Sequence, residues 1–462
     1  MERFDLAIIG AGPAGMAAAR EAADLGLAVV LLDEQARPGG QIYRDVERAG
    51  PLRGDILGED YTAGTRLTQA LLHDRIRHIA GAVLWAIEDG FCLSYTQDGR
   101  AAQVSADRVL IATGALERPM PLPGWTLPGV MTAGAGQILL KQSGVLARRA
   151  VLVGSGPLLY LIAAQMVRAG APPLALVETQ TGADRTQALQ HIGGALRGWR
   201  YLLKGLKLLA EITRARVPRH TGATGIAIEG SDRAEAVTFT SHGRAHRIDC
   251  DTVFLHHGVV PNTQAARSLG VTHRWRPDQA CFAPILDLWG ETDVPGIYLA
   301  GDGAGIGGAK AAEHAGRLAA LAVATSAGHL GQGERDRRAK RLRLALDRER
   351  AVRPFLDAAY PPCVEALAPA DGTIICRCEE VTAGTIRSHA KLGCLGPNQS
   401  KAYGRAGMGP CQGRYCGLTV TALLAATNGR TEDDTGYYRI RPPLKPVTLG
   451  ELAAMGDTSD GA

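Results

Sequence analysis

The feature that most constrains the fold is a glycine-spaced turn between an apolar strand and a helix. Leu6-Ala7-Ile8-Ile9 runs into Gly10-Ala11-Gly12-Pro13-Ala14-Gly15, which opens an Ala-rich helical run reaching Leu25. Four apolar residues in a row read as a strand buried on both faces, as in parallel α/β sheets. In a GxGxxG turn the first glycine makes the bend, the second lets a pyrophosphate approach the backbone, and the third lets helix pack on strand. The helix N-terminus adds amide donors and the positive end of its dipole. A second strand, Ala28 to Leu32, ends at Asp33, 18 residues after Gly15. A carboxylate there can accept hydrogen bonds from both ribose hydroxyls of an adenosine. Strand, loop, helix, strand and acid in register predict a dinucleotide site built on Gly10, Gly12, Pro13, Ala14, Gly15, Asp33 and Glu34.

The same grammar recurs. Strand Ala150-Val151-Leu152-Val153 leads into Gly154-Ser155-Gly156-Pro157-Leu158-Leu159, a helix to about Arg168, and a strand from Leu174 to Val177 closed by Glu178. Leu159 stands at the third glycine position, so looser helix packing is expected. Glu178 in the ribose-reading position would repel a 2′-phosphate, which favours NAD(H) over NADP(H), while Arg185 and Arg197 argue the other way. Gly154, Gly156 and Glu178 are the candidate residues of this second site. Asp251 to Asn262 supplies its closing strand and exit loop, with His256 and His257 read as structural.

At 462 residues the chain has length for about three domains. Its 51 Lys and Arg against 46 Asp and Glu, a net charge of +5, and only 5% aromatics offer neither a basic patch nor stacking platforms for nucleic acid. The apolar stretch Val151 to Val167 is broken by Gly154, Ser155, Gly156, Pro157 and Gln165, so no membrane span is expected. Met1-Glu2-Arg3-Phe4-Asp5 does not read as a signal peptide, and the nine cysteines are no disulfide scaffold. A cytoplasmic protein is expected, with any membrane association peripheral and made through a complex.

Four cysteines form the other constellation. Cys376-Arg377-Cys378 is followed after 32 residues by Cys411-Gln412-Gly413-Arg414-Tyr415-Cys416. Two close pairs can supply the four thiolates of a [2Fe-2S] cluster, each pair offering two sulfurs from one turn. Structural zinc and unligated thiols are the alternatives. Gly407, Gly409, Gly413 and Gly417 expose amides able to donate to cluster sulfurs. Arg377 and Arg414 would offset the cluster's charge, and Glu379 and Glu380 oppose them. Cys250, Cys281, Cys363 and Cys394 read as packing residues, with Cys394 a substitute ligand. Ahead of this motif, Glu334 to Arg353 is a mixed-charge helical linker, ended by Pro354, Pro361 and Pro362. Behind it, Arg441-Pro442-Pro443-Leu444-Lys445-Pro446 reads as extended chain lying on a surface.

Three further segments carry a resemblance. Gly39-Gly40-Gln41, Arg108-Val109-Leu110-Ile111-Ala112-Thr113-Gly114 and Gly296-Ile297-Tyr298-Leu299-Ala300-Gly301-Asp302 resemble the flavin loop, the ATG strand and the GD motif of the FAD-dependent glutathione and thioredoxin reductase superfamily. The resemblance implies FAD, or another adenine nucleotide, at the first site, with Gly40, Gln41, Ala112, Thr113, Gly114, Gly301 and Asp302 added to it. It also places the helix after Gly307-Gly308-Ala309 near the flavin ring, where its dipole would favour negative charge on a reduced flavin, with Lys310, Glu313 and His314 near the flavin edge and read mainly as structural. The redox cysteine pair of the disulfide reductases is missing, since residues 36–91 contain no cysteine and Cys250 and Cys281 are isolated. Disulfide reduction is therefore disfavoured.

Residues 373–425 resemble the bacterioferritin-associated-ferredoxin-like [2Fe-2S] domain, which implies Cys376, Cys378, Cys411 and Cys416 as ligands. Nearly the whole chain resembles the family that comprises the A subunits of opine oxidases, the FAD/NAD(P)-binding subunit of hydrogen cyanide synthase and the α subunits of heteromeric proline dehydrogenases. Its most specific parts are Val29 to Gln35, Gly39 to Arg44, Gly129 to Gly134 and the cysteine set. The implied fold is α/β: two Rossmann-like dinucleotide-binding domains of the glutathione reductase type (1–118 with 269–330, and 119–268), a charged helical linker (331–370), a small helical [2Fe-2S] domain (371–430) and a tail (431–462). The implied function is an electron-transferring α subunit of a heteromeric dehydrogenase or oxidase acting on the C–N bond of an opine, a proline-like or another amino acid. The implied partners are a D-amino-acid-oxidase-like flavoprotein β subunit, with a small ferredoxin-like subunit and a further flavin at the interface with β left open. No catalytic residue is assigned. A stand-alone NADH-dependent reductase and a scaffold with a redox-silent nucleotide stay open as alternatives.

Overall fold

The computed structural model describes residues 1–455. The first apolar run forms the middle strand of a five-stranded parallel sheet, ordered Ile297–Leu299, Val109–Ile111, Leu6–Ile9, Val29–Asp33, Ile76–Ala80. Every side chain of Leu6–Ile9 and Val29–Asp33 is buried, which is why these strands read as continuous rather than alternating apolar runs. A second five-stranded parallel sheet follows, ordered Val130–Thr132, Thr252–His256, Ala150–Gly154, Ala175–Glu178, Arg219–His220. The chain passes between the two units along a short antiparallel ribbon, Ala115–Glu117 against Val259–Pro261.

The first sheet is covered by two slender helices. Pro13–Asp24 is rich in alanine, and Ala309–Ser326 crosses it at Gly316. A Cβ on Gly316 would lie 2.1 Å from the carbonyl oxygen of Ala14, and one on Gly15 would lie 1.9 Å from that of Gly10. Helix on helix and helix on strand are thus in backbone contact, which any side chain would force apart.

The charged helix Gln332–Arg350 is not merely a solvated connector. Its Ala339 and Leu346 are buried, and its Arg335 and Arg343 guanidinium groups each sit 4.2 Å from the ring centroid of Trp289. Arg353–Ala359 and a short turn of helix at Val364–Leu367 then lead to the cysteine-bearing domain, built on Ala383–Lys391, Pro397–Gly404 and Gly417–Asn428. Buried Ile375, Ile386, Val420, Leu423 and Tyr438 join one continuous apolar cluster with Ile9, Val30 and Ile111 of the first sheet. The segment Arg441 to Pro446 is bent rather than extended; it lies against the protein with Leu444 buried, and Leu444 donates its N–H to the Trp85 carbonyl at 2.7 Å. Among the described residues, no helix is long and apolar enough to cross a membrane.

Replacing Gly316 by Val should separate the two crossing helices and lower stability by about 1–3 kcal/mol or more, because the overlap is with backbone that cannot rotate away. An unchanged denaturation midpoint would refute this account of the crossing.

Candidate functional site

Gly10, Gly12, Pro13 and Ala14 line one cleft of about 460 Å³ at the carboxyl edge of the first sheet, together with Asp33, Glu34, Gly40 and Gln41 from its far side. Ala112, Thr113, Gly114, Gly301 and Asp302 complete the same wall. Gly15 does not line it and serves the packing contact given above. The floor is bare backbone. A Cβ on Gly10, at φ +105°, would lie 2.6 Å from the Ala112 carbonyl oxygen, and one on Gly40 would lie 2.8 Å from the Gly12 Cα. The loops thus approach each other more closely than a side chain would allow and leave bare backbone facing the cleft. Asp33 accepts from the Ala11 amide at 2.5 Å and the Gln35 amide at 2.7 Å. Burial, the largest influence, holds its carboxyl above the usual range. Asp302 accepts from the amides of Gly307 and Gly308 with one oxygen, which ties the start of the helix Ala309–Ser326 to the cleft. Of the residues read at the flavin edge, Glu313 is buried and ion-paired with Arg66 at 2.8 Å. Among the described residues, no cysteine lines the cleft.

Two contributors escape the sequence reading. Lys141, 2% exposed, donates to the carbonyls of Gln41 and Ile42 and to Gln137 Oε1, each at 2.9 Å. It pins the Gly39–Ile42 loop to the second domain, and burial and then Arg44 push its amine down to about 7. The other contributor is the C-terminal domain. Arg414, Leu444 and Lys445 line the cleft, and Lys445 pairs with Glu34 at 2.9 Å across 411 residues of sequence. Burial alone would raise the Glu34 carboxyl, but the Lys445 hydrogen bond and charge, with Arg44, leave it lowered. No local pattern announces such a pair.

The second glycine loop has the expected backbone: Gly154 at φ +128° and Gly156 at +117°. The residues around it are already engaged. Leu159 is buried, Glu178 is 0% exposed, and Arg219 grips both of its oxygens at 2.9–3.1 Å while Gln180 donates to it at 3.1 Å. A ribose-reading carboxylate must face open space, and this one faces an arginine. The residues here do not fit a dinucleotide as they stand.

In the cysteine domain all four candidate sulfurs come together, paired across the motif: Cys376 with Cys416, and Cys378 with Cys411. Each pair takes one sulfur from each end of the motif, not two from one turn. Among the described residues, no group of three or more Cys, His, Asp or Glu side chains is arranged to hold a metal ion. Amides of Gly407, Glu379 and Cys378 point at the Cys376 sulfur. Chiefly the bond from Cys416, and then these amides, lower the Cys376 thiol to about 6. Of the four glycines read as amide donors, Gly407 takes that role toward Cys376. Gly409 makes room for the Cys378 side chain, and Gly413 and Gly417 for the rings of Tyr438 and Tyr437. Arg377 lies over the Trp125 ring at 5.3 Å. Glu379 pairs with Arg405 at 2.8 Å, which reduces its opposition to a negatively charged ligand. Cys250, Cys281, Cys363 and Cys394 are buried, as packing residues should be.

Substituting Lys141 with Met should free the Gly39–Ile42 loop and leave three acceptors, one of them on the buried Gln137, without their donor, at a cost of roughly 1–3 kcal/mol. Nucleotide that survives gel filtration on the parent chain should be lost from the variant, and equal retention would count against the staple.

A family model for pyridine nucleotide-disulphide oxidoreductases matches residues 4–328, and one for the sarcosine oxidase A3 domain matches residues 372–456. The A subunit of opine oxidase from Rhizobium meliloti is 44% identical over 99% of this chain and 89% of its own length. That of Agrobacterium tumefaciens is also 44% identical, over 99% and 92%. Hydrogen cyanide synthase subunit HcnB of Pseudomonas aeruginosa is 35% identical over 97% and 98%. Among solved structures, L-proline dehydrogenase from P. horikoshii superposes with a TM-score of 0.73 at 20% identity, covering 98% of this chain and 80% of that one, a likeness of fold. The chain, a two-sheet dinucleotide fold carrying a cysteine-bearing C-terminal domain, therefore belongs to the pyridine nucleotide-disulphide oxidoreductase family and, within it, to the family of the opine oxidase A subunits.

Proposed function

We propose that this chain is the electron-transferring subunit of a heteromeric flavoenzyme that oxidises the C–N bond of an opine or related amino acid. The observation that carries the reading is the meeting of two redox-suited sites. Arg414, between Cys411 and Cys416, lines the dinucleotide cleft, so the paired cysteines adjoin the wall of that cleft. The identity to the A subunits of opine oxidases over 99% of the chain supports the reaction class.

The four thiols of Cys376, Cys378, Cys411 and Cys416 support the reading of a [2Fe-2S] cluster. Such a cluster has two irons and takes two sulfurs on each, and the sulfurs here stand as two pairs. The dinucleotide cleft fits FAD or another adenine nucleotide, with bare backbone at Gly10, Gly12 and Gly40 for the pyrophosphate and Asp33 for the ribose. When bound, a flavin and a cluster supply two-electron and one-electron redox chemistry respectively. The chain's own residues do the holding. Lys141 fixes one loop, Asp302 fixes the start of a helix, and Lys445 with Arg414 ties the cysteine domain to the cleft. None of the cleft residues is assigned the abstraction of a substrate proton. Amine oxidation is therefore assigned to a partner, a D-amino-acid-oxidase-like β subunit with its own flavin.

Two outcomes test this reading. Anaerobically purified protein should carry two irons and two acid-labile sulfides per chain, and Cys378→Ser or Cys411→Ser should cut both by at least about tenfold while leaving the nucleotide. Zinc in place of iron would overturn the cluster. Co-expressed with a D-amino-acid-oxidase-like partner, the pair should reduce an artificial acceptor with an opine as donor. Full activity of the partner alone would overturn the relay.

A further inference from the structure

The second dinucleotide fold carries a glycine loop, a helix N-terminus and an acid in the expected order, yet a segment of the same chain runs along its cleft. A dinucleotide on such a fold lies across the carboxyl ends of adjacent parallel strands, with adenosine at the ribose-reading acid, pyrophosphate on the glycine loop, and the other nucleotide beyond the neighbouring strand. Here those strands are Ala175–Glu178, Ala150–Gly154 and Thr252–His256, side by side in the sheet. Three stations along that path are met in sequence order by residues 360–363.

At the first station, the Tyr360 ring lies edge-on to Tyr160, 6.0 Å between centroids. Tyr160 accepts from Gln180 at 3.0 Å and lies under the Arg219 guanidinium that grips Glu178. At the second, Ser155, the middle residue of the glycine loop, donates its hydroxyl to the Pro361 carbonyl at 2.9 Å. At the third, the Cys363 amide donates to His257 Nδ1 at 3.1 Å, at the exit of the third strand, and His257 Nε2 donates to the Pro119 carbonyl at 2.8 Å. The segment is anchored on both sides. Upstream, Ala351 and Val352 press on Gly194 and Gly198, where a Cβ would meet them at 2.3 and 2.8 Å. Downstream, the Glu365 carboxylate accepts from the amides of Gly225 and Ile226 at 2.7 and 3.3 Å. The cysteine domain begins shortly after Glu365.

We propose that residues 360–363 are the resident occupant of the second dinucleotide cleft. This fold takes no pyridine nucleotide and acts as the socket that fixes the linker to the cysteine domain. Glu178, with both oxygens held by Arg219, has lost the ribose-reading role and closes the floor beneath Tyr360. The stand-alone NADH-dependent reductase, which would feed electrons through this cleft, loses its entry point. The inference does not depend on what the cysteines bind or on which partner the chain has.

Hydrogen–deuterium exchange on the full chain, with and without NADH or NADPH at millimolar concentration, tests it. Peptides covering 154–160 and 360–363 should exchange slowly and to the same extent in all three conditions, whatever happens to peptides of the first cleft. Photolabelling with an azidoadenine analogue of NAD should mark first-cleft peptides or none. Protection of 154–160 by NADH, faster exchange of 360–363 on its addition, or label on the strand ending at Glu178 would each overturn the proposal. A Tyr360→Ala variant adds a second arm, in which exchange at 154–160 should rise severalfold without nucleotide. Unchanged exchange there would show that Tyr360 does not cover the cleft and would overturn the assignment.

Discussion

The architecture rests on backbone meeting backbone where side chains are missing. Gly15 against Gly10, Gly316 against Ala14 and Gly40 against Gly12 bring a helix to its strand, a helix to a second helix, and one loop to another. Each contact is closer than any Cβ permits, so each fixes a distance that bulkier residues could only increase. The cleft between the loops inherits its width from them. Amides and a helix N-terminus converge there with no side chain in front, an arrangement that suits an anion such as a pyrophosphate.

Charge then joins parts that the chain holds far apart. Lys445 reaches Glu34, and Arg414 spans from the Cys411 carbonyl to the Leu444 carbonyl while facing the cleft. These half-exposed pairs add little stability by themselves. The domain is held by the apolar cluster shared between Ile9, Val30, Ile375 and Tyr438, and the charges set its orientation on that surface. Lys141 does the same for the Gly39–Ile42 loop, with three acceptors that only a cation satisfies in full.

Glycine shows how far a sequence reading reaches. In the first loop the residue type and its spacing carry their own explanation: Gly10 turns the chain at positive φ, Gly15 lets the helix pack against the loop, and Gly12 lines the cleft as bare backbone. In the cysteine domain the same residue type reads as a set of amide donors, but Gly413 and Gly417 are small because the rings of Tyr438 and Tyr437 press on them. A glycine tells that something comes close, and not what. The second fold repeats the lesson. Gly154, Gly156 and Glu178 keep the spacing and backbone of a nucleotide site, while Arg219, Tyr360 and Pro361, distant in sequence, use up its polar groups.

The sequence by itself determined what depends on neighbours within a few residues. It specified the buried parallel strands, the glycine turns that open helices, the acid after the second strand, the absence of a redox cysteine pair in the first unit, and two close cysteine pairs. These follow from backbone sterics, periodicity and short-range chemistry, which operate locally. Only the tertiary structure decided which sulfurs stand together, that Lys141 and Lys445 complete the first cleft, and that a linker lies in the second. Those outcomes depend on surfaces brought together by burial of a shared apolar core, and burial is blind to separation along the chain.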